Sequence, residues 1–290
     1  MSQDDQLARQ RRIAAEMHVG AAFEPTREIE QRIAFLADYL RASELKTYVL
    51  GISGGVDSTT AGRLAQLAVE KLRAEHYNAH FLAIRLPYGV QNDEADAQQA
   101  LSFIRADENF AIDIKPAADV MLAALHTSGV PFIDDGQQDF VHGNIKARQR
   151  MIAQYAVAGA RHGVVIGTDH AAESVMGFFT KFGDGGADIL PLTGLNKRRV
   201  RALAMTLGAP QALVHKVPTA DLEMLRPQRP DEDAYGIPYN EIDDFLECKP
   251  VSAAAYATIM RFYDASRHKR ALPYTPFDWP TRAAVKNEEN

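Results

Sequence analysis

Cysteine is almost absent from this sequence, which has a single one, Cys248, among 290 residues. One thiol cannot form an internal disulfide framework, and this scarcity is typical of proteins in the reducing cytoplasm. Long hydrophobic runs are also missing, since no apolar stretch approaches the roughly 18 residues that a membrane-spanning helix needs. The polar, charged residues 1–17 contain no signal-peptide core, so we expect neither a membrane span nor a secretion signal.

An excess of positive charge is missing as well. The formal net charge of −6 argues against a nucleic-acid partner, although anionic small molecules respond to local charge. With 46% hydrophobic and 24% charged residues, the composition predicts a globular protein of one large α/β domain or two small ones. The motifs G-x-x-x-x-G-K-[ST] and G-x-G-x-x-G after a strand are both absent, which excludes the P-loop kinase and Rossmann dinucleotide classes.

The most informative segment that is present is Gly51–Ser58. It overlaps an apolar run, Tyr48–Ile52, that predicts a buried strand, and a helical pattern begins near Ser58. A glycine turn between a strand and a helix brings backbone N–H groups and about half a positive charge to one anion site. Asp57 would repel a bound phosphate, so its presence predicts a bridging Mg²⁺. Without a ligand, the same residues form an ordinary capped strand–turn–helix.

Apolar runs alternate with helical patterns along the first two thirds of the chain. They predict strands at Tyr48–Ile52, Phe81–Leu86, Phe110–Ile114 and Val164–Ile166. This alternation predicts an α/β fold, a doubly wound, mainly parallel sheet flanked by helices. Ligands of such sheets bind beyond the carboxyl ends of the strands, where Gly51–Ser58, Arg85–Gly89 and Thr168–Glu173 lie.

Caps and breakers predict the helix boundaries. We expect helix caps at Thr26, Asn92 and Asn196. Further helices are predicted from Pro116, with Val120, Met121 and Leu125, from Phe140 to His162, and from about Ser252 to His268. A polar loop is predicted at Asp134–Gln138 and a mobile charged loop at Arg226–Asp233. We expect a single domain. Residues 1–24 form a polar arm with some helical content, 25–215 a nucleotide-binding α/β core, and 216–290 a substrate loop with a helical C-terminal extension.

The segment Gly167–Glu173 begins a helix directly after the fourth predicted strand. Thr168 can hydrogen-bond a nucleotide or cap the helix. Glu173 lies one turn further, where it can supply a second oxygen ligand to Mg²⁺. The alternative is a capped helix with solvated acids. No second His or Cys stands at metal-ligand spacing from His170, which favours a structural histidine over a zinc ligand.

Four further segments can contact a nucleotide ligand. In Phe178–Asp188, aromatic rings can stack on a flat ring, Lys181 can pair with a carboxylate or phosphate, and Asp188 can accept from ribose hydroxyls. The alternative there is a glycine turn between core phenylalanines. Lys197 at a helix start is a candidate phosphate contact, and Thr219 offers a hydroxyl at a turn. His268 and Lys269 end the last predicted helix, where cations are also favoured for structural reasons.

Together these segments resemble the ammonia-dependent NAD synthetases of the PP-loop ATP pyrophosphatase superfamily. The S-G-G-x-D-S pattern is shared by that whole superfamily, whereas GTDHAAE and FFTKxGDGGxD are far more specific. The other matching pieces are Arg85–Gly89, Asn144–Arg148, Pro218–Leu222 and His268–Lys269. The matches follow one another along nearly the whole chain, and the resemblance implies an adenine-nucleotide hydrolase-like sheet.

The resemblance also implies roles for individual residues. It implies that the ATP phosphates are held by Gly51, Ile52, Ser53, Gly54, Gly55, Val56, Asp57 and Ser58, with further ATP contacts from Arg85, Thr168, Lys197 and Thr219. Asp57 and Glu173 coordinate Mg²⁺. Deamido-NAD is contacted by Arg148, Lys181, Asp188, His268 and Lys269.

The implied reaction is the ATP-dependent amidation of deamido-NAD (nicotinic acid adenine dinucleotide) to NAD, the final step of NAD biosynthesis. The carboxylate attacks the α-phosphate of ATP, pyrophosphate leaves, and ammonia then displaces AMP from the nicotinyl-adenylate. We expect Asp169 to receive a proton or to position ammonia. Cys248 lacks the nearby His–acid arrangement of a glutamine-hydrolysing nucleophile, so we expect free ammonia to be the donor. The family is homodimeric, with the dinucleotide at the subunit interface.

Two other classes of function remain open. One is a different adenylating PP-loop enzyme, either tRNA-modifying or GMP-forming. The acidic balance, the lack of a thiol pair and the FFTK segment count against it. The other is a non-catalytic nucleotide-binding module, against which the paired carboxylates Asp57 and Glu173 count.

Overall fold

The sheet at the centre of the molecule is parallel throughout. The computed structural model describes residues 3–90, 94–219 and 222–277. In these ranges the strands are β1 (Thr47–Gly51), β2 (His80–Arg85), β3 (Glu108–Ala111) and β4 (Gly163–Val165), in the order β3-β2-β1-β4. Thr47 lies opposite His80 of β2 and Gly163 of β4. The predicted α/β fold with a parallel sheet is confirmed, and each strand begins one or two residues earlier than predicted.

Helices connect and cover these strands. In chain order they are α1 (Gln3–Glu16), α2 (Pro25–Ala42), α3 (Val56–Ala74), α4 (Glu94–Ile104), α5 (Lys115–Thr127), α6 (Asp135–Ala160), α7 (Ala171–Met176), α8 (Lys197–Thr206), α9 (Gln211–Val214), α10 (Asp231–Tyr235), α11 (Tyr239–Leu246), α12 (Ala253–Ala265) and α13 (Arg267–Arg270). Among the described residues, no helix is both long enough and apolar enough to cross a membrane.

Side chains of β1 alternate between two hydrophobic cores, as the period of a strand requires. Tyr48 packs on one face of the sheet with Leu36 of α2 and Leu64 of α3. Val49 packs on the other face with Ala158 of α6. Since both faces of the sheet are covered at its centre, β1 and β2 read as nearly continuous apolar runs, which is why the sequence revealed them.

A third core joins the two ends of the chain. Ile13 of α1 is buried with Val175 of α7, Phe245 of α11 and Ile259 of α12. Gln10 adds buried hydrogen bonds from its amide nitrogen to the Phe245 carbonyl at 2.8 Å and to that of residue 249 at 2.9 Å. The N-terminal helix is therefore packed against the C-terminal extension through an apolar stripe and a polar contact.

Two helix starts differ from the prediction. Glu24, rather than Thr26, caps α2, because its carboxylate accepts from the N–H groups of Thr26 and Arg27 while Pro25 fills the first helical position. The long helix α6 begins inside the predicted polar loop, where the Asp134 side chain accepts from the backbone at 2.7 Å.

Other boundaries agree more closely. Asn196 caps α8 as predicted, with its side chain accepting from the Arg199 N–H at 3.0 Å. The predicted cap Asn92 lies outside the described residues. The predicted loop at Arg226–Asp233 contains the start of α10, and its Asp231 is buried. The final predicted helix is divided at Ser266 into α12 and α13.

Candidate functional site

The turn between β1 and α3 presents a helix N-terminus to solvent. Gly54 has a φ of 79°, and a Cβ there would lie 2.7 Å from the backbone nitrogen of Ala97, so a side chain is excluded by strain and by contact. The hydroxyls of Ser53 and Ser58 lie 3.2 Å apart and brace the turn from within. This arrangement leaves the first N–H groups of the 19-residue helix α3 available to an anion.

A cleft of about 290 Å³ opens at this turn, at the carboxyl ends of β1 and β4. Most residues predicted to bind ATP line it, namely Gly51, Ile52, Ser53, Gly55, Val56, Asp57, Ser58, Thr168, Lys197 and Thr219, together with Asp169 and Glu173. Two predicted ATP contacts are not among the described lining residues. Gly54 lies behind the turn, and Arg85 forms an ion pair with Glu94 of α4.

Three helix N-termini bring a cluster of charges together in the cleft. Asp57 lies in the first turn of α3, Glu173 in the first turn of α7, and Lys197 begins α8. The Lys197 Nζ lies 2.7 Å from Asp57 Oδ2 and 3.8 Å from Glu173 Oε1. His170, the N-cap of α7, has its Nε2 3.4 Å from a carboxylate oxygen of both acids. Lys197 and His170 are both 1% exposed, so the pairing is well shielded from water.

Burial and mutual charge set the protonation of this cluster. Burial raises the pKa of Glu173 to about 8, although His170 and Lys197 oppose the shift. Burial also disfavours charge on Asp57, but Lys197 and His170 outweigh it and hold the pKa of Asp57 well below its usual range. The site is therefore an Asp57–Lys197 ion pair beside a carboxyl that a further cation would ionise.

The donor atoms of the cluster fit a hard divalent cation. Ligand atoms of Asp57, His170 and Glu173 lie within 4.8 Å of one another. Asp57 Oδ1 is buried and accepts no hydrogen bond from the described residues. Two carboxylates at a phosphate-binding turn are the oxygen ligands that Mg²⁺ prefers. The structural role predicted for His170 is also observed, since its Nδ1 lies 3.4 Å from the Glu173 N–H as the cap of α7.

A second pocket adjoins the cleft and shares Phe178, Asp184 and Leu222 with it. Its other lining residues are three cations, one acid, two aromatic residues and several small or polar residues: Arg226, Arg229, Lys269, Glu223, Phe140, Phe179, Gly143, Asn144, Gly177, Thr180 and Ala234. Aromatic rings beside guanidinium and ammonium groups suit a flat ring that carries an anionic substituent. The two pockets together could hold two ligands in contact.

Of the five residues predicted to bind deamido-NAD, Lys269 is among the described lining residues of this second pocket and the other four are not. Lys269 lines it, and its Nζ donates to the carbonyls of Gly177 and Phe179, both at 2.9 Å. Lys181 donates to the carbonyls of His268 at 2.6 Å and of residue 271 at 2.9 Å. His268 and Lys181 are absent from the described lining residues.

The other two predicted residues also make protein contacts. Arg148 donates to the Lys181 carbonyl at 3.3 Å. Asp188 accepts from the Val165 N–H at 2.8 Å and from the Tyr155 hydroxyl at 3.0 Å. Neither is among the described residues that line the two pockets. The segment from 177 to 188 is thus tied to α6, β4 and α13 by the side chains that sequence reasoning assigned to substrate.

Sequence reasoning missed five polar residues of the cleft, Arg150, Gln154, Asp184, Lys216 and Asp231. Arg150 and Gln154 line it one helical turn apart on α6, and Gln154 Oε1 accepts from the Gly51 N–H at 2.7 Å. Asp231 lines it from the start of α10 and accepts from the Tyr239 hydroxyl at 3.1 Å. The spacing of four between Arg150 and Gln154 was the available signal, since it places both on one helix face.

Comparison with known proteins gives matches along almost the full length. The model of the NAD synthase family matches residues 28–273. The NH(3)-dependent NAD(+) synthetase of Paraburkholderia phytofirmans is 78% identical over 284 residues, which cover 98% of this chain and 99% of that protein. The protein of the same name from Burkholderia pseudomallei is 70% identical over 284 residues, 98% of this chain and 100% of its own.

Solved structures agree with the sequence matches. The crystal structure of NAD+ synthetase from Burkholderia pseudomallei superposes with a TM-score of 0.82 at 68% identity, covering 94% of this chain and 100% of that one. The structure of NMN synthetase from Francisella tularensis gives a TM-score of 0.77 at 36% identity, over 88% of this chain and 99% of that one.

Proposed function

The chain belongs to the NAD synthase family, and from that membership we infer that it is a ligase that forms a carbon–nitrogen bond. It amidates deamido-NAD to NAD with ammonia and uses ATP as co-substrate. The observation that carries this function at the level of the site is the convergence of Asp57, Glu173 and Lys197 at a phosphate-binding turn, next to a second pocket that shares a wall with it.

ATP is proposed to occupy the cleft at the β1–α3 turn. The N–H groups at the start of α3 and its dipole favour the polyphosphate. Thr168 and Thr219 supply hydroxyls from the cleft wall, and Lys197 supplies a charge at the phosphates. Lys197 is held for this role by Asp57, since their 2.7 Å ion pair fixes a flexible side chain before the nucleotide binds.

Mg²⁺ is proposed to be held by Asp57 and Glu173. When bound, it would neutralise charge on the phosphates and on the departing pyrophosphate. The carboxyl of Glu173 is easily protonated without such a cation, and Asp57 keeps an oxygen that is not hydrogen-bonded to described residues. Both properties support a cation at this position rather than a closed network of protein groups.

Deamido-NAD is proposed to place its nicotinate end in the second pocket. The rings of Phe140, Phe178 and Phe179 offer faces for the pyridine ring, and Lys269 with Arg226 offers positive charge to the phosphates or the carboxylate. Because the pocket shares a wall with the cleft, a nicotinate carboxylate there can reach the α-phosphorus of ATP. Its oxygen bonds to that phosphorus as the bond to pyrophosphate breaks, which gives the nicotinyl-adenylate.

Ammonia then completes the reaction. Its nitrogen attacks the activated carbonyl carbon, the bond to AMP breaks, and the nitrogen loses a proton. We assign that proton to Asp169, which lines the cleft. Burial and the negative charges of Asp184 and Asp57 raise the pKa of Asp169 to about 7, a value suited to accepting a proton near neutral pH.

A homodimer is proposed from the surface of α5 and α6. These neighbouring helices expose apolar side chains, among them Val120 (69% exposed), Met121 (46%), Ile152 (52%) and Tyr155 (37%). These four side chains on two packed helices are referred to as the exposed stripe, and their burial against another molecule would be favourable. A second copy is the proposed occupant, and a dinucleotide site near the interface is supported by Phe140, which lines the second pocket from the same helix α6. We also propose a cytoplasmic location, which the scarcity of cysteine supports.

The function is tested by product stoichiometry. The purified chain is incubated with deamido-NAD, ATP, Mg²⁺ and ammonium, and NAD, AMP and pyrophosphate are measured separately. We expect equal amounts of the three products, with none when deamido-NAD is omitted. Glutamine in place of ammonium should yield no NAD. Hydrolysis of ATP to ADP and phosphate, or pyrophosphate release without deamido-NAD, would contradict the proposal.

A further inference from the structure

The N-terminal half of α6 buries a polar face where an apolar one is expected. Asp139 is 9% exposed, His142 8% and Lys146 1%, and Gly143 lies among them. Their spacing of three and four residues puts them on one side of the helix. Charged groups are seldom buried unless partners offset the loss of water. What these side chains contact therefore indicates why this face is polar.

Asp139, Gly143 and Lys146 face the segment 222–225, whereas His142 lies beside Asp119 of α5. Asp139 accepts hydrogen bonds from the N–H groups of Met224 and Leu225, both at 2.8 Å. Lys146 Nζ donates to the Leu222 carbonyl at 2.9 Å and lies 4.3 Å from the centre of the Tyr88 ring. A carboxylate that takes two N–H groups and an ammonium that takes a carbonyl are charge-assisted contacts, so each holds one end of the segment.

Gly143 allows the segment to lie directly on the helix. A Cβ at Gly143 would stand 3.2 Å from Leu222 Cβ and 3.3 Å from its carbonyl oxygen, closer than ordinary contact. The segment thus rests on the bare backbone of α6 between the two charged anchors. Its position is set by three residues of one helix face.

The same segment forms a wall of the second pocket. Leu222 lines both the cleft and the second pocket, and Glu223 lines the second pocket, as does Arg226 next to the segment. Asp139 and Lys146 are not among the described residues that line either pocket. The ATP side of this part of the chain has its own anchors, because Thr219 pairs with Pro230 and the Asp231 N–H donates to the residue 218 carbonyl at 3.0 Å.

We propose that Asp139 and Lys146 are positioning residues that hold segment 222–225 as the wall of the second pocket and so set the affinity of the enzyme for deamido-NAD. The proposal rests on the proposed function, because that function places the nicotinate end of the substrate in this pocket. Both residues act through the backbone of the segment, without contact to the substrate.

Hydrogen exchange tests the anchoring without any ligand. The amides of residues 224 and 225 donate to Asp139, so Asp139→Asn should speed their exchange about tenfold or more. Asp135→Asn is the matched control, since it removes an exposed carboxylate from the same end of α6. Equal exchange rates for these two amides in both variants would overturn the anchoring.

Steady-state kinetics test the consequence for substrate. Asp139→Asn and Lys146→Met should raise the KM for deamido-NAD about fivefold or more and leave the KM for ATP within about twofold. Deamido-NAD kinetics like those of Asp135→Asn would overturn the proposal, as would an equal rise of the KM for ATP. Thermal unfolding shows whether Asp139→Asn and Lys146→Met are folded. If one of them is not, the kinetics of the other variant decide the proposal.

A pair of glycine substitutions provides a test that changes no charge. Gly143→Ala forces the segment outward by a few tenths of an ångström, whereas Gly159→Ala on the same helix meets nothing within 4 Å. Both gain the same helix propensity. We expect the KM for deamido-NAD to rise in Gly143→Ala alone, and equal values would contradict the proposal. If wild-type enzyme forms no NAD, the proposed function fails, while hydrogen exchange still decides the anchoring.

Discussion

At the scale of single residues, the proposed chemistry depends on Lys197, whose ammonium group lies between the carboxylates of Asp57 and Glu173. Lys197 is buried, and its 2.7 Å contact with Asp57 and 3.8 Å distance from Glu173 offset the loss of water around its charge. In the proposed function, ATP and its metal would compete for the same three groups. We infer that the site is stable without ligand because Lys197 acts as the internal cation, and that it is active when Lys197 turns to the phosphates.

The first prediction concerns Asp57→Asn. We expect a folded protein in which pyrophosphate release falls by about 10³-fold or more, because a ligand of the cation and the anchor of Lys197 are lost together. Glu173 still faces Lys197, so the buried ammonium keeps a partner. The measurement is single-turnover pyrophosphate release at saturating Mg²⁺, with circular dichroism to confirm the fold.

Its control is Asp38→Asn, which changes an exposed carboxylate of α2 away from the cleft. That variant should keep wild-type turnover. Wild-type turnover in Asp57→Asn itself would remove Asp57 from the site.

Some residues of the site were readable from the sequence and others were not. Asp57, Glu173 and Lys197 all stand at predicted helix starts, where the helix dipole favours anions, so their meeting in the cleft could be anticipated. Gln154 contacts Gly51, 103 residues away along the chain, and Asp231 contacts Tyr239 of the next helix, and no motif around either residue indicates that it lines the cleft. Their roles depend on which face of α6 turns inward and on where α10 docks, which are properties of the assembled fold.

At the scale of elements, the β1–α3 turn shows why a glycine is needed where it stands. Gly54 combines a left-handed φ of 79° with a close approach to the backbone of α4. Gly208, at the end of α8, has a similar φ of 84° but open space around it. Substitution of Gly208 therefore introduces backbone strain alone, whereas substitution of Gly54 introduces strain and steric contact together.

The second prediction uses that pair. Gly208→Ala should lower the free energy of unfolding by about 1 kcal/mol, from left-handed strain alone. Gly54→Ala should lower it by about 3 kcal/mol and abolish ATP binding, because the turn must move away from α4. Urea denaturation and titration calorimetry with ATP measure both effects. Equal destabilisation with intact ATP binding would show that the close approach to α4 does not shape the turn.

The third prediction concerns the junction of α8 and α11. Glu247 accepts from Asn196 and Arg198, both at 2.9 Å, and from Lys249 at 2.6 Å. Burial pushes the pKa of Glu247 up, but Lys249, Asn196 and Arg198 outweigh it and lower the pKa to about 2. Because the pKa of Glu247 is lower in the folded than in the unfolded state, its carboxylate stabilises the fold fully above about pH 4.5. This stabilisation is lost as the pH falls towards 2.

Glu247→Gln should accordingly lower the free energy of unfolding by about 2 kcal/mol at pH 7, after allowance for partial solvent exposure, and by under half of that near pH 3. Urea denaturation at the two pH values is the measurement. Glu30→Gln on the exposed side of α2 is the control and should have little effect at either pH. A difference between wild type and Glu247→Gln that does not change with pH would refute the ion-pair account.

Helices and strands could be predicted where the spacing of apolar residues has one clear period, but their first and last residues were harder to predict. Strands β1, β2 and β4 are largely buried, and their apolar runs stand out in the sequence for that reason. The start of α6 was missed because its first turn is polar and exposed, and only the Asp134 side chain, bonded back to the helix, marks it. The cap of α2 was misplaced by two residues, because Glu24 is an uncommon cap that Pro25 makes effective.

At the scale of the whole molecule, the exposed stripe on α5 and α6 predicts the assembly. Sedimentation equilibrium at micromolar concentration should give twice the chain mass of 32.0 kDa. The double variant Val120→Glu, Ile152→Glu puts charge on the stripe and should dissociate the dimer, with a loss of NAD formation if the dinucleotide binds near the interface as proposed.

Met205→Glu tests the specificity of that result, since Met205 is a similarly exposed apolar residue on α8, in the layer on the opposite side of the sheet. This variant should remain dimeric and active. A wild-type species of 32.0 kDa alone would contradict the assembly.

The central claim is that a carboxylate in the second pocket attacks the α-phosphorus of ATP in the cleft. The most direct test uses deamido-NAD with ¹⁸O in both carboxylate oxygens, and mass spectrometry of the products. Attack by the carboxylate predicts that one ¹⁸O of each substrate molecule appears in the phosphate of AMP and that pyrophosphate carries none. Unlabelled AMP, or ¹⁸O in pyrophosphate or inorganic phosphate, would contradict the account.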